Sequence, residues 1–108
     1  MNNNPLEKEV QNAILDYLSW KKNLMYWRQN TTPTYNQKGQ RYQAMPKHSL
    51  RGVPDIIVIK NGKFIGLECK RKGAKPSEHQ MAFMKNCILN GGEYHIVTCI
   101  DDVVAIGL

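Results

Sequence analysis

Pro54-Asp55-Ile56-Ile57-Val58-Ile59-Lys60-Asn61-Gly62-Lys63-Phe64-Ile65-Gly66-Leu67-Glu68-Cys69-Lys70 carries the strongest structural signal in the chain. Two apolar runs flank Asn61-Gly62, a dipeptide suited to a two-residue hairpin turn because both central residues take positive φ there. Such a turn fixes the register. Lys60 faces Lys63, Ile59 faces Phe64, Val58 faces Ile65, Ile57 faces Gly66, Ile56 faces Leu67 and Asp55 faces Glu68. Directly opposed residues hold their Cβ atoms about 4.5–5.5 Å apart, and like charges in that position repel. Glu68 and Lys70 are two residues apart and share a face. Two carboxylates and one ammonium therefore converge at one end of an otherwise apolar hairpin.

On the N-terminal side, Asn4-Pro5-Leu6-Glu7 predicts a helix start. Asn4 caps, Pro5 takes the first helical position and Glu7 closes a capping box. Leu6, Val10, Ala13, Ile14, Tyr17 and Leu18 form one apolar stripe at helical spacing, and the helix ends near Trp20. Leu24–Gln29 predicts a strand. Residues 30–53 show little periodicity and predict a long loop of the kind that is usually functional. On the C-terminal side, Arg71–Pro76 is a basic loop, and Ser77-x-x-Gln80 is a capping box opening a helix that runs to about Asn90 and stops at Gly91-Gly92. Tyr94–Ile100 predicts a strand, and Asp101 predicts the cap of a short helix over Asp102–Leu108. The order is α-β-β-β-α-β. Its last strand, helix and strand form a right-handed crossover with parallel pairing. The fold class predicted is α/β, a mixed sheet flanked by helices.

With 108 residues, 42% of them hydrophobic, the chain suits one domain over 1–108. No apolar run approaches the roughly 20 residues of a membrane span, and no secretory leader is visible at the N-terminus. Three cysteines without Cys-x-x-Cys spacing argue against a disulfide framework or structural zinc, and for a reducing cytoplasm. The net charge is +6, and ten of the fifteen basic residues fall between positions 38 and 75, beside only Asp55 and Glu68. A basic middle with two isolated acids points to a polyanion partner and to something specific at the acids, and the alternative is a solvated basic face.

Opposed carboxylates at a sheet end are reconciled by a hard divalent cation. Mg²⁺ takes one or two protein carboxylates and fills its other positions with waters and substrate phosphate oxygens. Lys70 beside it can hold or help deprotonate an attacking water. The alternative is an ordinary Glu68–Lys70 surface pair with Asp55 at a strand edge. His48, in the long loop, reads as a surface residue, and His79 and His95 as facing solvent and the sheet surface. Trp20, Tyr26, Trp27, Tyr35 and Tyr42 have the aromatic faces on which bases stack, with core packing expected of Tyr26 or Trp27. Met81, Phe83, Met84, Cys87 and Ile88 are expected to pack the second long helix.

Arg51-Gly52-Val53-Pro54-Asp55, twelve intervening residues and Glu68-Cys69-Lys70 resemble the PD-(D/E)xK nuclease superfamily. Together with Ser77-x-x-Gln80 and the Gly91-Gly92 turn, in that order, they resemble within it the VRR-NUC (virus-type replication-repair nuclease) family, from about Glu7 to Val104. The resemblance implies a restriction-endonuclease-like core and Mg²⁺-dependent or Mn²⁺-dependent hydrolysis of DNA phosphodiesters. It implies Asp55 and Glu68 as metal-binding acids, Lys70 as the catalytic lysine, the backbone carbonyl of Cys69 as a further metal ligand and Gln80 as an active-site glutamine. It also implies an acid on the first helix, where Glu7 fits the pattern better than Glu9. Glu7 and Gln80 each keep their capping-box reading as an alternative. Arg41, Lys47, Arg51, Arg71, Lys72 and Lys75 are the candidates for DNA contact. Small members of the family resemble Holliday-junction resolvases, which implies a branched or four-way DNA partner, a homodimer, and a bacterial or phage-infected host cell. A nickase, a flap nuclease and an inert DNA-binding module on the same fold are the competing readings.

Overall fold

The Asn61-Gly62 turn has φ of 53° and 75° at its two residues, the mirror-image geometry that matches strand twist. It joins β4 (Ile56–Lys60) to β5 (Lys63–Cys69), and the five pairs from Lys60↔Lys63 to Ile56↔Leu67 follow the register the turn dictates. The computed structural model describes residues 5–29, 35–36, 41–42 and 46–108. Around the hairpin it places α1 (Glu7–Ser19), β1 (Met25–Arg28), β2 (Tyr35–Asn36), β3 (Arg41–Tyr42), α2 (Glu78–Leu89), β6 (Glu93–Val97) and α3 (Ile100–Ala105). The main sheet has the order β1-β4-β5-β6, antiparallel except for the parallel β5–β6 pair joined through α2. The fold is α/β, a four-stranded mixed sheet with flanking helices. β2 and β3 pair separately inside the stretch expected as loop, because strands of two residues are too short for alternation to show.

The sheet has two unlike faces. Val10, Ile14 and Leu18 of α1 pack with Ile56, Val58, Ile65, Leu67, Cys69, Val97 and Val103 into the buried core. Each fully buried aliphatic side chain there contributes about 1.5–3 kcal/mol. Tyr17 Oη donates to the Leu108 carbonyl at 2.8 Å, tying α1 to the segment after α3. By strand alternation Ile57, Phe64, Gly66, Glu68 and Tyr94 point the other way, toward α2.

Several boundaries differ from expectation. Leu6, not Asn4, is the residue capping α1, in extended conformation and with no side-chain cap bond. Asn4 lies outside the described residues. Glu7 is then the first helical residue, not the third, and closes no capping box. Leu6 and Ala13 are exposed, and the polar Gln11 is buried in the stripe instead. β6 stops at Val97, level with the end of its partner β5 at Cys69. Cys99 takes the extended cap position, so α3 starts at Ile100 and Asp101 lies inside its first turn. Asp102 reaches back and accepts from Thr98 N at 2.8 Å and Thr98 Oγ1 at 2.9 Å. The largest departure is α2. Phe83, Met84 and Cys87 are half-buried, but no residue of this helix is buried, and Met81, Ile88 and Leu89 are 50%, 54% and 72% exposed. The sheet face beneath it carries Ile57, Phe64 and Tyr94, but Gly66 and the Glu68 carboxyl interrupt that apolar surface, so α2 finds only a broken patch to pack on. Among the described residues, no helix is long and apolar enough to cross a membrane.

Candidate functional site

The open end of the hairpin is built by a proline–glycine contact. Pro54 is fully buried, and a Cβ on Gly66 would stand 2.6 Å from Pro54 Cγ, so only glycine lets the Pro54 ring lie on β5. Asp55 follows at the mouth of β4. Its carbonyl accepts from Gln29 N at 2.7 Å, continuing the β1–β4 ladder by one step. Its carboxylate turns toward β5, where Oδ2 accepts from Cys69 N at 2.9 Å.

Glu68 sits beside it in β5, 2% exposed. Its Oε2 accepts from Gln80 Nε2 at 3.0 Å, while its Oε1 is buried without a hydrogen-bond partner. Burial pushes the Glu68 carboxyl up to about 8, the neighbouring charge and hydrogen bond of Asp55 push the same way, and Lys70 opposes them. Without a cation, burial and the Asp55 charge therefore favour the protonated form of Glu68. Lys70 Nζ lies 3.9 Å from Glu68 Oε2 and 3.9 Å from Glu7 Oε1, with its side chain 12% exposed. The Lys70 backbone is held by its N–H to the Val97 carbonyl at 3.0 Å.

The structure thus brings together Asp55, Glu68, Lys70, Gln80 and Glu7. Gln80 serves both of its readings at once. Its side-chain oxygen accepts from Ser77 N at 2.8 Å and its backbone N donates to Ser77 Oγ at 3.2 Å, closing the capping box, while its amide nitrogen holds Glu68. Glu7 is half-exposed at the start of α1, and Glu9 is exposed. The peptide of Cys69 lies between Glu68 and Lys70. Its thiol is fully buried in the core on the opposite face, and burial pushes it far above the ordinary thiol range. All three cysteines are free.

Gly52 is a part of the site that the sequence motif contains but does not explain. Its φ is +77°, and a Cβ there would stand 2.1 Å from the His79 carbonyl oxygen and 2.7 Å from Gln80 N. The loop before Asp55 therefore presses directly on the first turn of α2, the turn that carries Gln80. Tyr94 Oη donates to the Gly52 carbonyl at 3.3 Å from β6, and its ring packs against Phe83 with centroids 5.7 Å apart. Tyr94 and Gly52 escape sequence reasoning because these contacts join residues far apart in the chain.

Most of the basic candidates lie in the chain segments that lead into and out of this cluster. Arg71, Lys72 and Lys75 lie in the loop leaving Lys70, Arg51 precedes Asp55 by four residues, and Lys47 is in the approach to it; all but the half-buried Arg71 are exposed. Arg41 falls in β3, and its side chain and those of Tyr35 and Tyr42 lie outside the described residues. His48 and His79 are exposed, and His95 Nε2 lies 2.7 Å from Glu93 Oε1. Tyr26 packs against the core, whereas Trp20 and Trp27 are exposed.

Among the described residues, no group of three or more His, Cys, Asp and Glu side chains is arranged to hold a metal ion. The pair Asp55 and Glu68 nevertheless suits a cation that needs only one or two carboxylates, and the partnerless Glu68 Oε1 is one oxygen such an ion could engage. Comparison with protein-family models, with curated proteins and with solved structures finds no match to this chain.

Proposed function

We propose that the chain is a metal-dependent DNA endonuclease of the PD-(D/E)xK type, similar to the VRR-NUC family. The observation that carries this reading is the buried Glu68, crowded against Asp55, with one oxygen on Gln80, one without a partner and the Lys70 ammonium 3.9 Å away. A structural ion pair would satisfy both oxygens. A site awaiting a cation would not.

Asp55 and Glu68 would hold Mg²⁺, with Mn²⁺ as a substitute and the Cys69 carbonyl as a further ligand. The ion would supply charge neutralisation at the phosphate and a water acidic enough to attack it. Cys69 N–H fixes the Asp55 carboxylate, and Gln80 fixes that of Glu68. Lys70, steered from both sides by Glu7 and Glu68, holds the attacking water and offsets negative charge gathering on the phosphate. Lys47, Arg51, Arg71, Lys72 and Lys75, with Arg41, bind the backbone phosphates, an interaction without sequence information.

The basic residues, and the lack among the described residues of an element suited to reading base edges, favour recognition of DNA shape, with a four-way junction as the leading substrate. Paired cuts call for a two-fold homodimer, and the exposed Met81, Ile88 and Leu89 on α2 support that helix as part of the interface. The test is cleavage of linear, nicked, flap and four-way DNA with and without Mg²⁺. Metal-dependent cutting that disappears in Lys70→Ala, with binding in Ca²⁺ kept, supports the reading. Binding without cutting at any metal concentration would make the chain a DNA-binding module instead.

A further inference from the structure

A second feature lies on the same sheet face as the carboxylates. A cleft of about 460 Å³ opens between β5, the loop before Asp55 and α2. Its walls include the aromatic rings of Phe64 and Phe83, its rim the amides of Asn86 and Asn90, and its mouth Arg51 and His79. No acidic side chain lines it among the described residues. Gly92, also in the lining, lets Cys87 and Phe64 pack closely on the backbone, since a Cβ there would stand 2.7 Å from Cys87 Sγ and 3.3 Å from the Phe64 ring. The volume falls in the range of about 300–1,000 Å³ typical of small-ligand pockets.

The cleft and the carboxylates are linked by one strand and one helix turn. Phe64 and Glu68 lie on the same face of β5, four residues and so about 13 Å apart. Gly66 lies between them, with Pro54 resting on it. His79 at the mouth of the cleft is the neighbour of Gln80, which holds Glu68. A strand whose phosphate sits at the carboxylates therefore reaches the cleft within a few nucleotides.

Resting on the endonuclease reading above, we infer that this cleft receives one unstacked base of the bound DNA strand. Its parts match the parts of a nucleotide. Phe64 and Phe83 offer faces for a flat ring, the Asn86 amide and the amide oxygen of Asn90, whose nitrogen donates to the Asn86 carbonyl at 2.8 Å, offer hydrogen-bonding groups to its edge, and Arg51 meets the adjoining phosphate. Bases stack on aromatic side chains whatever their identity, so the cleft selects for exposure of a base and not for sequence. Unstacking is cheapest where a base is already unpaired or mismatched. The substrate class that follows is DNA with a disrupted duplex close to the cut, at a junction point, flap base or bulge, in preference to continuous duplex.

The test uses the full chain in Ca²⁺ with flap and four-way DNA carrying 2-aminopurine at one position at a time near the cut. Ala82→Trp and Asn86→Phe, two exposed positions lining the cleft, serve as independent filling variants, each checked for an unchanged unfolding profile. One position should change its fluorescence on binding, and both variants should remove the change. Deleting the base at that position should weaken binding about tenfold in the unsubstituted chain and less than about twofold in the filled variants. DNA that is bound in Ca²⁺ and cut in Mg²⁺ with no responding position would overturn this inference and leave the endonuclease reading standing. So would an abasic penalty that the filled variants do not reduce. DNA that is neither bound nor cut would overturn both.

Discussion

The two faces of the sheet are built on opposite principles. Toward α1 and α3, strand residues such as Ile56, Val58, Leu67 and Val97 are fully buried against Ile14 and Leu18. Toward α2, the same strands present Gly66, a buried carboxyl at Glu68 and an open cleft, and the covering helix buries nothing completely. One face supplies stability, and the other uses it to hold groups that would not stay together on their own. Substitutions on the two faces should therefore separate activity from stability.

The widest separation is expected at Lys70. Lys70→Ala should lower cleavage by about 10²–10⁴-fold while junction affinity in Ca²⁺ changes less than about tenfold, read by single-turnover cleavage and by binding. Near-normal cutting would reduce Lys70 to a phosphate contact. On the other face, Leu18→Ala should cost about 2–5 kcal/mol in denaturant unfolding, because it opens a cavity in a packed core. A cost below about 1 kcal/mol would show that the two faces are less different than their burial suggests.

Gly52→Ala probes the joint between loop and helix. The added Cβ has no room against the His79 carbonyl and the backbone φ is positive, so a loss of about 1–3 kcal/mol is expected, with cleavage falling as the first turn of α2 carries Gln80 away from Glu68. Unchanged cleavage would release Gln80 from its positioning role.

Glu68 gives the pH dependence. Its carboxyl moves from 4.5 to about 8 on folding, so the folded state binds a proton the unfolded chain has already released. Without a cation, stability should fall as pH rises from about 4.5 through about 8, by at most about 1.4 kcal/mol per pH unit. Glu68→Gln or added Mg²⁺ should flatten that slope in thermal melts across the pH range. An unsubstituted chain with a flat profile would contradict the crowding of the two acids. The smallest effect belongs to Ile88→Ser on the exposed side of α2, within about 0.5 kcal/mol of unchanged stability in the monomer. The same substitution should shift light scattering toward monomer if α2 joins two copies.

Local chemistry made much of this legible in advance. Asn61-Gly62 dictates its turn whatever surrounds it, so the hairpin pairs follow by counting. Ser77 and Gln80 meet within one helical turn, so their capping box is equally readable. The start of α1 was less so, because Asn4 and Pro5 look better as a cap than Leu6, which takes that role. The apolar positions of α2 could not be sorted by pattern, since an apolar side chain looks the same in sequence whether or not a neighbour covers it. The role of Gly52 depends on His79 and that of Tyr94 on Gly52, pairings that only the completed topology brings about.

Cys69 belongs to both faces at once: its amide hydrogen holds Asp55 while its thiol packs in the core behind. Any opening that loosens the core at this point also lets go of the Asp55 carboxylate. If the proposed cleavage depends on that carboxylate, heat inactivation should coincide with the global melt. The Cys69 amide should accordingly be among the slowest in the chain to exchange with deuterium, reporting whole-molecule opening from the edge of the site itself.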